Sequence, residues 1–241
     1  FDLFSKFNEL LNVTDSYRGP LTYFLSASFL FFFKNTYNFA YLSNQIFGLI
    51  CIISIFNLGK IIKNESTGIW GSIIFTFSSV ILNLRSDYLI DLSLTSFSTL
   101  NILFLTKWYF DNNKFSKYSI LSGISLSLVF LVKPTGIILF FIPIIFILKR
   151  KFKIKDIYKF SEISLFIFSF LILIFPWFSR HWITIISSII NAWNWGINYQ
   201  DGLDSNSLQG WLFYFKELPS IFGIINSSTF IIIFLIEKIL N

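Results

Sequence analysis

Arg85-Ser86-Asp87-Tyr88-Leu89-Ile90-Asp91-Leu92-Ser93-Leu94-Thr95 opens an apolar run over 88–106 in which Asp91 is the only charged residue. About 20 helical residues cross a bilayer core roughly 30 Å thick, so the run predicts a membrane span. Two carboxylates and a guanidinium then sit at its mouth. An ionisable group in hydrocarbon costs about 2.5–3.5 kcal/mol on insertion scales, which marks such residues as candidates for function.

Composition supports the membrane reading along the whole chain. Of 241 residues, 54% are hydrophobic, 13% are charged and 33 are Phe. Soluble domains carry about a quarter charged residues and could not bury this much apolar surface in one core. The net charge of +6 comes from basic residues in short loops between apolar runs, where they read as topology signals rather than a nucleic-acid surface. A lone Cys51 excludes an internal disulfide, and a lone His181 excludes a His-rich metal site. The chain contains no Met and opens on Phe1 without the pattern of a signal peptide, which reads as a fragment lacking its first residues.

Apolar runs at about 39–58, 68–84, 88–106, 118–132, 134–148, 163–179 and 218–236, uncharged but for Asp91, predict an all-α fold. The expected architecture is a polytopic transmembrane helical bundle of about seven spans plus one re-entrant or surface helix. Lys133-Pro134 divides two of the shorter runs, because proline removes a backbone donor and disfavours helix in the residue before it. Two helices meeting at a membrane surface is the expected arrangement; one long kinked span with a buried Lys133 is the alternative. Lys149, Arg150, Lys151, Lys153, Lys155 and Lys159, opposed only by Asp156, predict a cytoplasmic loop. Residues 85–87, 133 and 180–217 then face the other side. Leu21 to Phe33 has 13 residues, too few to cross unaided, and predicts a helix lying at the outer surface. Extension by its flanks into a true span is the competing reading.

This topology gathers unusual polar residues on the outer face. Asp15, Tyr17 and Arg18 precede the surface helix; Arg85, Asp87 and Asp91 mark one span mouth, and Lys133 another. Pro176-Trp177 ends a span, followed by Arg180, His181 and Trp182. Aromatic faces pack on sugar C–H surfaces while carboxylates accept hydroxyl protons, so the set suits a saccharide. Simpler roles exist for each. Trp and Tyr anchor helices at interfaces, Arg180 and Lys133 can snorkel to headgroups, and Asp87 and Asp91 can cap a helix N-terminus. If the helix begins by Asp87, the two carboxylates share a face and call for a cation between them, from Arg85, Lys133 or a divalent metal.

The segment Arg85-x-Asp-Tyr-Leu-x-Asp91-Leu-Ser-Leu-Thr resembles the outer-loop motif of GT-C type membrane glycosyltransferases. The nearest group is the bacterial relatives of dolichyl-phosphate-mannose protein mannosyltransferases (glycosyltransferase family 39-like). Tyr17-Arg-Gly-Pro-Leu-Thr-Tyr23, the Gly123 to Lys133-Pro-Thr segment and Phe175-Pro-Trp-Phe-Ser-Arg180 are similar to further family segments, in the same order. The resemblance runs from about residue 15 to residue 215.

It implies that residues 1–241 form part of a GT-C domain whose N-terminal span and C-terminal part lie outside this chain. It implies a multi-pass enzyme of the bacterial inner membrane. A sugar, hexosyl or pentosyl, would pass from a polyprenyl-phosphate-linked donor to a lipid, protein or glycan hydroxyl on the extracytoplasmic face. By the same resemblance, Asp91 and Asp87 are catalytic candidates and Lys133, Arg85 and Arg180 hold the donor phosphate. Tyr88, Trp177 and His181 line the cleft, and metal involvement is open. The family's favoured catalytic Asp, in a first outer loop, has no Asp-Glu counterpart here; Asp2 and Asp15 are the available substitutes. A polysaccharide polymerase or ligase, and a transporter or flippase, are the competing functions. A transporter would place charges at the midplane of repeated halves, whereas these charges lie at one face and no repeat is visible.

Overall fold

The computed structural model describes residues 18–32, 42–86, 90–111, 116–153 and 157–198, with single positions at 207, 208, 212 and 216. Among these, 93% of residues are helical and none is in a strand. The elements are α1 (Pro20–Phe32), α2 (Leu42–Ile62), α3 (Glu65–Thr76), α4 (Ser79–Ser86), α5 (Ile90–Phe110) and α6 (Lys117–Val132). A 3-10 turn (Pro134–Phe140) then leads into α7 (Phe141–Lys153) and the long α8 (Ile157–Asn198).

The all-helical expectation therefore holds, and the helix ends add detail. The break at Lys133 is present, with Pro134 opening the 3-10 turn. The apolar run 68–84 is divided at Phe77 and Ser78 between α3 and α4. The predicted span 218–236 lies outside the described residues. Two helices among the described residues are long and apolar enough to cross a membrane, Leu42–Ile62 and Phe160–Ser188. Only 22% and 33% of their apolar windows are buried, whereas the core helix of a soluble protein would be mostly covered. Phe168, Ile172, Phe175 and Ile183 on α8 all point outward, as a hydrocarbon solvent allows.

Pro176-Trp177, read from sequence as a span end, is not a helix end. Helix α8 runs through Pro176 to Asn198, 42 residues or about 63 Å at 1.5 Å per residue. Proline forfeits one intrahelical hydrogen bond, a loss that neighbouring helices absorb in membrane proteins. The first part of the supposed outer segment 180–217 is thus a continuation of the helix.

Helices α2, α5, α6 and α8 pack in that order, joined by small residues that let backbones approach. Ser96 Oγ donates to the Phe47 carbonyl at 2.6 Å, tying α5 to α2. Ser125 Oγ donates to Asn101 Oδ1 at 2.9 Å, tying α6 to α5. Gly123 faces α8 so closely that a Cβ would lie 2.4 Å from the Phe166 carbonyl oxygen. The core between them is filled by Phe47, Leu92, Phe97, Trp108, Leu126 and Phe166.

The end of the bundle carrying the basic residues holds a buried polar knot. Lys151 Nζ lies 3.3 Å from Glu162 Oε2, with both side chains essentially inaccessible. Trp108 Nε1 donates to Glu162 Oε2 at 3.0 Å and the Ser116 amide to Oε1 at 3.0 Å. Lys151 also donates to the Asp111 carbonyl at 3.0 Å. Four elements, α5 to α8, are thereby fastened together. This corrects the reading of Lys151 as one of a set of loop charges: it lies in the last turn of α7 and its charge is spent on Glu162. At the α2–α3 corner, Asn64 caps α3 by accepting the Thr67 amide. The exposed Lys60 hydrogen-bonds Glu65 and, by that bond and by its charge, holds the Glu65 carboxyl below the usual range.

Candidate active site at the Asp91 and Lys133 end

Lys133 owes its position to the residue that follows it. A residue before proline is pushed out of the helical region, and Lys133 adopts φ −151 and ψ 109. Its amide still donates to the Val129 carbonyl at 3.0 Å, and its own carbonyl accepts the Gly136 amide at 2.9 Å. The side chain is half-buried. Helix α6 leaves its last carbonyls without intrahelical partners, and the Gly19 amide donates to one of them, Val132, at 2.8 Å. Only glycine permits this approach, since a Cβ at Gly19 would stand 1.8 Å from the Leu131 carbonyl oxygen. The Arg18-Gly19-Pro20 segment is thus laid across the Lys133 junction.

Asp91 occupies the first turn of α5 and is half-buried. A carboxylate there is favoured by the partial positive charge of the helix N-terminus. Two contacts bring this turn to the Lys133 junction. Thr22 Oγ1 and Ser93 Oγ hydrogen-bond at 2.9 Å, docking α1 on α5. Gly136, three residues after Lys133, faces Leu94 Cδ1. The structure therefore collects Asp91, Lys133, Arg18 and the start of α1 at one end of the bundle.

Helix α8 reaches the same region through Phe130 on α6. Its ring lies 6.2 Å from that of Trp177 and 6.0 Å from that of Phe178. Trp177 is buried, and its indole N–H has no hydrogen-bond partner among the described residues. His181, one turn on, is also buried and lies 5.8 Å from Trp177, centroid to centroid. Arg180 is exposed.

Of the other residues singled out from sequence, Asp87 and Tyr88 lie outside the described residues, and Arg85 is described only as part of α4. The face predicted to be shared by Asp87 and Asp91 therefore falls outside the described residues. Among those residues no group of three or more His, Cys, Asp and Glu gathers. Sequence reasoning passes over Thr22 and Ser93, which set the α1–α5 docking. Their only signal is a hydroxyl on an otherwise apolar helix.

A half-buried ammonium at a helix break and a half-buried carboxylate at a helix start, at the same end of the bundle, can hold an anion and orient a hydroxyl. A family model described as dolichyl-phosphate-mannose-protein mannosyltransferase matches residues 17–179, more than half of the chain. The chain belongs to that family. The match spans α1 to the middle of α8 and includes Arg18, Asp91, Lys133 and Trp177. Comparison with curated proteins and with solved structures gave no match. Family membership makes the chain part of an integral membrane glycosyltransferase of the GT-C kind, with a polyprenyl-phosphate-sugar donor implied.

Proposed function

We propose that this protein moves a hexosyl or pentosyl unit from a polyprenyl-phosphate-linked donor to a hydroxyl of a lipid, protein or glycan. The convergence of Asp91, Lys133 and Arg18 at one end of the bundle supports this reading most directly. In the reaction the acceptor oxygen bonds to the anomeric carbon as the bond from that carbon to the phosphate oxygen breaks. The acceptor proton passes to a base, and the polyprenyl phosphate leaves with the bonding electrons. Lys133, with Arg85 and Arg180, neutralises the charge developing on phosphate, while Asp91 orients the acceptor or takes its proton. Asp87 is the second candidate for that role. Tyr88, Trp177 and His181 line the sugar cleft, Trp177 offering its unsatisfied N–H to a hydroxyl.

The test is transfer of labelled sugar from polyprenyl-phosphate-mannose by membranes containing the full-length protein. Asp91→Asn keeps shape and hydrogen-bonding capacity but removes charge, and transfer is expected to fall at least tenfold, about 1.4 kcal/mol in the barrier. Wild-type rates at normal protein levels would remove Asp91 from the reaction.

The same reading proposes the topology: about seven spans in a bacterial inner membrane, residues 149–159 cytoplasmic and residues 85–91, 133 and 180–217 extracytoplasmic. The support is the bias of basic residues along the chain. In a Cys51→Ser background, a cysteine placed at 204 is expected to react with an impermeant thiol reagent in intact cells, and one placed at 153 is not. The reverse pattern would put the proposed site in the wrong compartment.

A further inference from the structure

At the end of the bundle opposite Asp91 and Lys133, α5 and α7 leave a groove of about 250 Å³. One wall is Ile102, Leu105, Thr106 and Tyr109; the other is Pro143, Phe146 and Ile147. These positions follow the i, i+3, i+4, i+7 spacing of one helix face. The groove is therefore straight and about two turns long, some 10 Å. It opens outward, since Ile102 and Phe146 are 42% and 65% exposed. Its walls are apolar except for Thr106 and the Tyr109 hydroxyl.

A cation closes one end. The Arg150 guanidinium carbon lies 4.1 Å from the centroid of the Tyr109 ring. Arg150 continues the α7 face of Pro143, Phe146 and Ile147 by the same spacing. Among the described residues no carboxylate pairs with it. Its surroundings are basic as well. Lys107, Lys117 and Lys149 belong to the same end, whereas Glu162 is committed to Lys151 and Asp111 accepts from Ser116.

An apolar channel with a fixed guanidinium at its mouth has the polarity of one molecule class, a hydrocarbon chain ending in an anion. We propose that the groove seats an acyl chain of an anionic phospholipid, whose phosphate meets Arg150. A planar guanidinium suits bidentate contact with phosphate, and stacking on Tyr109 holds its plane in place. The lipid belongs to the leaflet beside the basic residues, the leaflet in which anionic headgroups concentrate when that side is cytoplasmic. The sugar donor is a different ligand, because its phosphate is assigned to the far end of α5. In setting the donor aside the proposal rests on the proposed site, and its test reads lipid retention rather than transfer.

The experiment uses the full-length protein, delipidated in detergent and titrated with phosphatidylglycerol or phosphatidylcholine, with bound lipid read by native mass spectrometry. Wild type is expected to retain phosphatidylglycerol about tenfold better than phosphatidylcholine. Arg150→Gln should abolish that preference while leaving the unfolding midpoint without lipid unchanged. Ile102→Trp, which fills the groove from its open side, should reduce retention of both lipids. Equal retention of the two lipids by wild type, or an undiminished preference in Arg150→Gln, would overturn the proposal. So would tighter retention of polyprenyl phosphate than of phosphatidylglycerol at this site, or a dimeric mass that disappears in Ile102→Trp without any lipid bound. The last result would make the groove a contact between copies of the chain.

Discussion

Lys151→Ala is expected to destabilise the bundle by about 3–5 kcal/mol, the range seen when one partner of a buried ion pair is removed. Glu162 would keep its bonds from Trp108 and the Ser116 amide but would be left as a buried anion without its cation. The Asp111 carbonyl would lose a donor as well. Unfolding of the purified protein in mixed micelles measures the effect. Replacing both partners, Lys151→Met with Glu162→Leu, removes the uncompensated charge but should restore only part of the loss. The Ser116 amide and the Trp108 N–H would remain unsatisfied, each costing about 1–3 kcal/mol. A Glu162→Gln partner, which still accepts, should therefore recover more than Leu. A Lys151→Ala midpoint equal to wild type would show that water already solvates this pair.

Lys133→Ala is expected to lower transfer about ten- to hundredfold with normal insertion and folding. On the proposed reading the substitution removes a charge-assisted hydrogen bond to phosphate, worth roughly 1.5–3 kcal/mol. The backbone at 133 is held by bonds to Val129 and Gly136 and not by the side chain, so the α6 break should stay in place. Lys133→Arg keeps charge but presents a planar fork instead of a compact ammonium, and partial activity should follow. Dependence on donor concentration separates the roles. If the ammonium grips the phosphate of bound donor, KM rises; if it acts only as the bond breaks, kcat falls. Unaltered transfer by both variants would assign the ammonium to the interface alone.

Local chemistry makes much of this architecture readable in advance. Lys133-Pro134 announces a helix break because proline constrains its own residue and the one before, and the break is there. The uncharged run at about 39–58 is carried by one helix, Leu42–Ile62. What the chain conceals depends on tertiary partners. A proline ordinarily signals an end, yet α8 passes through Pro176, because neighbouring surface and lipid tolerate one missing bond that water would exploit. Lys151 looks identical in sequence to Lys149 and Arg150. Its burial follows from facing Glu162 across two helices, a pairing that a count of basic residues does not reveal. At the candidate site, Asp91 and Lys133 stand out as charges in apolar surroundings. The device that joins them, a hydroxyl pair between Thr22 and Ser93, is built from residues too common in this chain to stand out.

The Gly19 amide bonded to the Val132 carbonyl divides what can move at this end of the molecule from what cannot. The peptide bearing Lys133 is moored from three directions: back to α6, forward to the 3-10 turn and sideways to the stretch of chain entering α1. On the proposed reading, a phosphate drifting away as a leaving group would drag on an ammonium whose root is fixed, so only the four-carbon stem can follow it. The lysine would behave as a tethered float, trailing the anion over the length of its own arm and returning to the same mooring after each turnover.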